Sequence, residues 1–338
     1  MKAIAAQGGV TQATVSMCLA NNPRIPLATR ERIQALARRL NYQPNPYLST
    51  LMRIRRLGRP LKEQPVLALV CALQTAQGWR EHPAATIRQM REGALERAAL
   101  RGYRAEEFWL HRDGMSNERF SAMLHARGIQ GLLVSPLPEG EPTPQLAWRH
   151  FAAVCLSVPL TALTLTTVCN DHYFSSLHVM RECRRRGYRR PVLILRRGHQ
   201  ERFQGRWEAG YLFGGRGPRG PKLAPPFYLE PDGTAPLVAW LKERRPDAII
   251  TPTIDTVAEA LARLRWRAPD DVGLALLSCP QPGDSHAGIF QNGRMMGALA
   301  IDTLISQVER HERGLPEQGT TLMVEGRWNE GRTLRPPG

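Results

Sequence analysis

Apolar residues near the start of the chain recur three and four positions apart. Ile4, Val10, Val15, Cys18 and Leu19 form one set, and Ile33, Leu36, Ala37 and Leu40 a second. That spacing lines one face of an α-helix. Gly8-Gly9 interrupts the first helix. Thr11 is a good N-cap for a second helix, from Gln12 to about Leu19, because its hydroxyl can accept from a free amide of the first turn. Asn21-Asn22-Pro23 stops that helix, and a third is predicted from about Leu27 to Leu40. Asn45-Pro46 then suits the start of a further helix of about two turns, too short to be stable alone.

Beyond a linker-like stretch at 59–65 the pattern changes. Short β-type runs are predicted at 66–72, 104–109, 131–134, 151–156, 192–195, 248–251 and 272–277. Amphipathic helices are predicted at 88–101, 116–127, 172–186, 202–210, 234–244, 255–266 and 293–311, and 72–86 and 214–226 read as long loops. Such alternation means parallel sheets covered by helices. About ten strands divide more naturally into two lobes than one, leaving a cleft. In such sheets ligands sit at the carboxyl ends of the strands.

The chain has 338 residues, enough for two or three domains, and 42% are apolar, enough for a sizeable core. Its apolar runs are far shorter than the roughly 20 residues that span a bilayer. The first residues hold no apolar stretch of signal-peptide length, so the chain is expected in the cytoplasm. Six cysteines without a C-x-x-C pair predict neither a zinc site nor a disulfide framework, but small buried apolar groups. No metal-ligand spacing appears among the nine histidines, and no cofactor is implied.

Charge is concentrated. Of a net +16, the first sixty residues carry ten basic side chains against one acid, Glu31. Such a local excess is an electrostatic footprint for polyphosphate. Helix, tight glycine turn and helix is the helix-turn-helix arrangement, whose second helix lies in the DNA major groove. There Val15, Cys18 and Leu19 turn inward, and Gln12, Ala13, Ser16, Met17 and Ala20 face out. Gln12 can pair bidentately with adenine and Ala13 can pack on a thymine methyl. Thr11, Thr14 and Ser16 carry hydroxyls suited to phosphates. Leu51, on the short fourth helix, either wedges between base steps in the minor groove or packs with Leu48 and Met52 on the following domain.

These first sixty residues resemble the DNA-binding headpiece and hinge of the LacI family of regulators. The matching text is Gly9-Val10-Thr11, Ala13-Thr14-Val15-Ser16, Thr29-Arg30-Glu31-Arg32-Ile33 and Leu40-Asn41-Tyr42-Gln43-Pro44-Asn45. The resemblance implies that Gln12 and Ala13 hold the base-reading positions and Leu51 that of the intercalating hinge leucine. It departs at Met17, where arginine is usual, and at Pro26, where a serine cap is usual.

More weakly, the resemblance continues through Val168-Cys169-Asn170-Asp171, Gly187-Tyr188-Arg189-Arg190, Arg202-Phe203-Gln204-Gly205, Asp255-Thr256-Val257-Ala258, Ala268-Pro269-Asp270-Asp271-Val272 and Gln291 with Gly297. It implies a sensing domain with the fold of periplasmic sugar-binding proteins. Arg202 and Asp255 would line the effector cleft, with Asp171 and Gln291 nearby. An arginine fork and a carboxylate suit the vicinal hydroxyls of a sugar, and Trp79 is a candidate to stack on its ring. Leu276-Leu277-Ser278-Cys279 lacks the aspartate that usually ends this strand.

The expected architecture is an all-α helix-turn-helix headpiece over 1–45, a hinge helix and linker over 46–64, and a two-lobed α/β domain with parallel sheets over 65–338 for effector binding and dimerisation. The function it implies is a homodimeric regulator, a repressor of a pseudo-palindromic DNA operator, under control of a sugar-like small molecule. A solute-binding receptor without a regulatory role is the alternative. An enzyme on a nucleotide-binding sheet is disfavoured: Gly214-Gly215-Arg216-Gly217-Pro218 follows no predicted strand and lacks G-K-[ST]. Asp284-Ser285-His286 are sequence neighbours, which is no sign of a catalytic triad. The basic run 181–190 reads as a solvated helix end.

Overall fold

A computed structural model of the chain describes residues 2–19, 22, 24–40, 64–112, 114–137, 144–156, 158, 163–216, 223–230 and 233–338. Three N-terminal helices, α1 (Lys2–Gly8), α2 (Gln12–Leu19) and α3 (Leu27–Arg39), close on a small core of Ile4, Ala5, Val15, Cys18, Ile33 and Ala37. The two glycines between α1 and α2 serve different ends. Gly9 takes φ +62°, a left-handed turn free of Cβ strain there. At Gly8 a Cβ would stand 2.5 Å from Ile33 Cδ1, so bare backbone lets α1 approach α3. Thr11 caps α2 as expected, its Oγ1 accepting from Thr14 N at 3.1 Å. Pro26 gives α3 no side-chain cap. The helix is held from the side instead, by Arg32 Nη2 donating to Gly8 O at 3.0 Å and Gln34 Nε2 to Cys18 O at 2.9 Å. Leu40, predicted to continue the apolar face, is exposed at the C-cap. The hinge helix and linker expected over 46–64 lie outside the described residues, apart from Gln64.

The rest of the described chain forms two α/β lobes. In the first, β1 (Val66–Cys71), β2 (Arg104–Trp109), β3 (Gly131–Val134), β4 (Ala152–Cys155), β5 (Thr166–Asn170) and β11 (Thr321–Val324) make a sheet ordered β2-β1-β3-β4-β5-β11, and every pairing is parallel. The second lobe repeats this with β6 (Pro191–Arg196), β7 (Phe227–Leu229), β8 (Ala248–Thr251), β9 (Gly273–Cys279), β10 (Ala287–Phe290) and β12 (Arg327–Asn329), ordered β7-β6-β8-β9-β10-β12. Only β12 runs antiparallel there, against β10.

Central strands buried on both faces explain the near-continuous apolar runs. Leu67, Leu69 and Cys71 of β1 pack with residues of α4 (Ala85–Leu100) and α11 (Gly293–Glu309). Ala68 and Val70, alternating with them, pack on Phe120 and Leu124 of α5 (Asn117–Ala126). In the second lobe, Leu193 and Leu195 face α6 (His172–Arg185) and α8 (Arg206–Gly215), while Val192 and Ile194 face α9 (Thr234–Arg244) and α10 (Ile254–Leu264).

The chain passes between lobes three times: from β5 into α6, from β10 into α11, and from β11 into β12. The passages are tied together. Asn170 Nδ2 donates to Val324 O at 2.9 Å, Ser175 Oγ to Asn170 Oδ1 at 2.8 Å, and Asp171 N to Val324 O at 2.9 Å. At Gly326 a Cβ would meet Ile289 Cγ2 at 2.2 Å, so the third passage must be glycine to lie against the second.

Two local expectations change. The helix predicted over 202–210 is two helices, α7 (Arg197–Arg202) and α8, because Gln204 (φ 52°) and Gly205 (φ 68°) turn left-handed between them. The basic run 181–190 is not wholly solvated. Arg186 is buried, its guanidinium pairing with Glu182 and Glu330, donating to Arg335 O at 2.8 Å and lying over the Trp328 ring.

Candidate DNA-reading helix and effector cleft

In α2, Val15 and Cys18 are buried and Leu19 is partly packed against the core. The opposite side carries Gln12, Ala13 and Ser16 exposed and Met17 half-buried. With about 100° between successive helix positions, these four occupy one outward sector. Thr11 Oγ1 and Thr14 Oγ1 share a hydrogen bond of 2.9 Å, so each hydroxyl is oriented by the other and keeps capacity for a second partner. Arg24, Arg38 and Arg39 are exposed around the headpiece, whose one acid is Glu31. Burial pushes the Cys18 thiol up. Asn45 and Leu51, expected to cap the hinge and wedge into DNA, lie outside the described residues.

Four of the five effector residues expected from the sequence come to the ends of the strands where the lobes meet. Asp171 sits on the first passage, where its Oδ1 accepts from Phe174 N at 2.8 Å and caps α6. Gln291 sits on the second, buried, with Nε2 donating to Leu277 O at 3.0 Å. Asp255 is exposed in the first turn of α10, just after β8. Arg202 ends α7, just after β6, and lies over the Phe203 ring. Its charge reaches the first lobe. Burial pushes the Cys155 thiol up to about 12 against the pull of Arg202, and burial lowers His82 with Arg202 acting in the same direction.

Trp79 is the exception and corrects the expected stacking platform. It is fully buried in the first lobe's core, with its indole N–H donating to Ile87 O at 3.0 Å, so neither ring face meets the cleft. A cavity of about 720 Å³ lies elsewhere, where Thr166 and Thr320 meet Gln307 and Arg310 at the end of α11.

All six cysteines are free and buried. Among the described residues no group of His, Cys, Asp or Glu could hold a metal, and no helix is long and apolar enough to cross a membrane. Asp284 and His286 meet at 2.7 Å within one turn.

Reasoning from sequence missed His172, His199 and Trp207, which gather beside Arg202. Their spacing gives no periodic signal, and only the break at Gln204–Gly205 brings α7 and α8 around to face α6.

Residues 1–45 match the family model described as "Bacterial regulatory proteins, lacI family". The HTH-type transcriptional regulator MalR of Staphylococcus xylosus is 22% identical over 213 residues, 63% of this chain and 60% of that protein's length. The transcriptional regulator CelR in complex with cellobiose is similar over 98% of both chains, with TM-score 0.59 at 19% identity. The lac repressor dimer bound to operator and an anti-inducer is similar over 98% of both chains, with TM-score 0.55 at 18% identity. The N-terminal segment is thus similar to the DNA-binding segment of lacI-family regulatory proteins, and the three-helix headpiece and two α/β lobes have the fold of the lac repressor.

Proposed function

We propose that this protein is a sequence-specific DNA-binding transcription regulator, a homodimeric repressor whose grip on a pseudo-palindromic operator is set by a small molecule in the cleft between its lobes. The observation that carries this is the outward sector of α2, Gln12, Ala13, Ser16 and Met17, on a basic headpiece of a family of regulatory proteins. In this reading Gln12 and Ala13 read base edges, and Thr11, Thr14 and Ser16 hold phosphates. Asn45 and Leu51 keep their proposed roles at the hinge. Arg202, Asp255, Asp171 and Gln291 hold the effector. The lac repressor dimer bound to operator and the CelR–cellobiose complex support the DNA and carbohydrate-like partners. The protein works where the DNA is, in the cytoplasm, and carries out no chemistry of its own.

An effector acts only as far as its affinities for two arrangements of the lobes differ. The three passages at 170–171, 290–293 and 324–327 are where such a change of angle would be absorbed. The test is a binding selection from genomic fragments followed by footprinting. The expected result is protection of one two-fold-symmetric site, weakening steeply as salt rises. A protein with no preferred site in that selection would refute the reading.

A further inference from the structure

The cavity at the end of α11 lies at the opposite end of the first lobe from the cleft. Thr166, the first residue of β5, and Thr320, just before β11, line it. The cleft is reached at the other ends of those strands, at Asn170 and Val324. The last two turns of α11 form another wall, and the loop from α11 to β11 closes the space. Its volume, about 720 Å³, is within the range of small-molecule pockets.

The elements that meet there are those that lead into the three passages between lobes. β5 runs from the cavity to the first passage, α11 from the second passage to the cavity, and β11 from the cavity to the third. Over its length α11 carries that connection about 25 Å. Side chains tie the cavity ends together. Gln307 Nε2 of α11 donates to Thr166 Oγ1 of β5 at 3.0 Å, and Thr167 Oγ1 donates to Thr321 Oγ1 of β11 at 3.2 Å. A molecule seated in the cavity therefore touches all three crossings through hydrogen-bonded elements, without entering the cleft.

The wall states what such a molecule offers. Two arginines and two carboxylates line it. Arg310 Nη2 donates to Glu312 Oε2 at 2.9 Å. Asp302 faces Arg101 at 2.8 Å and Arg97 at 3.5 Å, both on α4. Arg313 is half-buried, and the further acids nearby, Glu309 and Glu317, are exposed outside the lining. A wall with equal numbers of cations and anions selects no net charge. It sets donors beside acceptors, which suits groups that do both, as hydroxyls do. The hydroxyls of Ser306 and Thr320 and the amides of Gln307 and Gln318 extend the same chemistry. Among the described residues no aromatic ring lines the cavity, so there is no platform for a nucleobase.

We propose that this cavity is a second small-molecule site, separate from the cleft, which takes an uncharged polyol and biases the angle between the lobes through β5, α11 and β11. The site itself is independent of DNA binding. Only the use made of the lobe angle rests on the proposed function.

The test is calorimetric titration of the full-length protein with D-sorbitol and myo-inositol. D-sorbitol 6-phosphate is the charged counterpart and adenosine the aromatic one. At least one polyol binds, and the phosphate and adenosine bind about tenfold more weakly or not at all, because neither an added charge nor a flat ring finds its partner. Thr303→Phe, which fills the cavity from α11, abolishes polyol binding. Gln318→Ala weakens it about two- to tenfold, as for one lost hydrogen bond. Thermal unfolding midpoints of the unliganded variants show that each is folded. Hydrogen exchange at the three passages slows by about twofold or more when the polyol is bound. A polyol that binds Thr303→Phe at full strength sits elsewhere and overturns the proposal. So do tighter binding of the phosphate or adenosine, failure of both polyols, and unaltered exchange at the passages. Each of these leaves the regulator reading in place, and failure of the DNA selection alone refutes that reading without touching the site.

Discussion

Thr86 in the first lobe and Ser278 in the second share a hydrogen bond across the cleft, 3.2 Å between their hydroxyl oxygens. Beside it, Gln89 Nε2 donates to Pro280 O at 2.8 Å. Both contacts join the start of α4 to the end of β9, so any rotation of one lobe on the other must break or remake them. A neutral hydrogen bond contributes about 0.5–1.5 kcal/mol net. Thr86→Val should therefore shift the balance toward an open arrangement by roughly two- to tenfold. Small-angle scattering of the unliganded protein should report a larger radius of gyration, and an unchanged radius would show that the pair does not hold the lobes.

Gln12→Ala should relax base preference at one position in each half-site, at a cost of about 1–3 kcal/mol on the best site. The salt dependence should be unaltered, because no phosphate contact is lost. Binding selections on wild type and variant, compared position by position, would check this. A uniform loss across all positions would move Gln12 from base reading to backbone positioning.

Gly297→Ala should destabilise the first lobe severely. A Cβ there would lie 1.9 Å from Met90 O, and one at Gly93 would lie 2.0 Å from Arg294 O. The two glycines let α4 and α11 touch backbone to backbone, and rigid backbone cannot give way as a side-chain tip does. A loss of about 3 kcal/mol or more is expected by urea unfolding, at the upper end for overpacking. A loss below about 1 kcal/mol would mean the helices can part cheaply.

Acid should weaken the fold well before the carboxylates titrate. His172 binds its proton near 6.5 when unfolded and near 3 when folded. Between those values the unfolded chain holds more protons, so stability rises with pH. The contribution is fully present above about 6.5 and is lost as pH falls toward 3, at roughly 1.4 kcal/mol per unit for a fully buried group. His199, brought to about 4, adds in the same direction. Urea midpoints at pH 7.5 and 5.0 should differ clearly in wild type and much less in His172→Gln. Equal pH dependence in the two proteins would place the acid sensitivity elsewhere.

Strong periodicity made most of the architecture legible in the sequence. The three headpiece helices, the Thr11 cap and the central strands emerge close to their predicted bounds, because a fully buried strand or a one-faced helix prints its environment on its residues. The elements that were missed are those without such a print. β5 is Thr-Thr-Val-Cys-Asn, half polar although buried, β7 and β12 are three-residue edge strands, and β10 and β11 are four-residue strands, Ala-Gly-Ile-Phe and Thr-Leu-Met-Val, too short to show a period. The buried Arg186 could not be told from its exposed neighbours, since its partner Glu330 lies far along the chain. The cleft was legible only in part. Arg202 and Asp255 follow strand ends, where ligands are expected, whereas Trp79 looked available and is sealed in the core.

The three passages between lobes also decide what can be cut away. The first lobe needs α11 and β11 from beyond residue 290, and the second needs β12 from beyond β11. Neither half is a continuous stretch, so a fragment ending at Asn170 is an incomplete sheet with one apolar face bare. The two lobes should accordingly melt in a single transition, and a deletion from the C-terminal end should damage both at once.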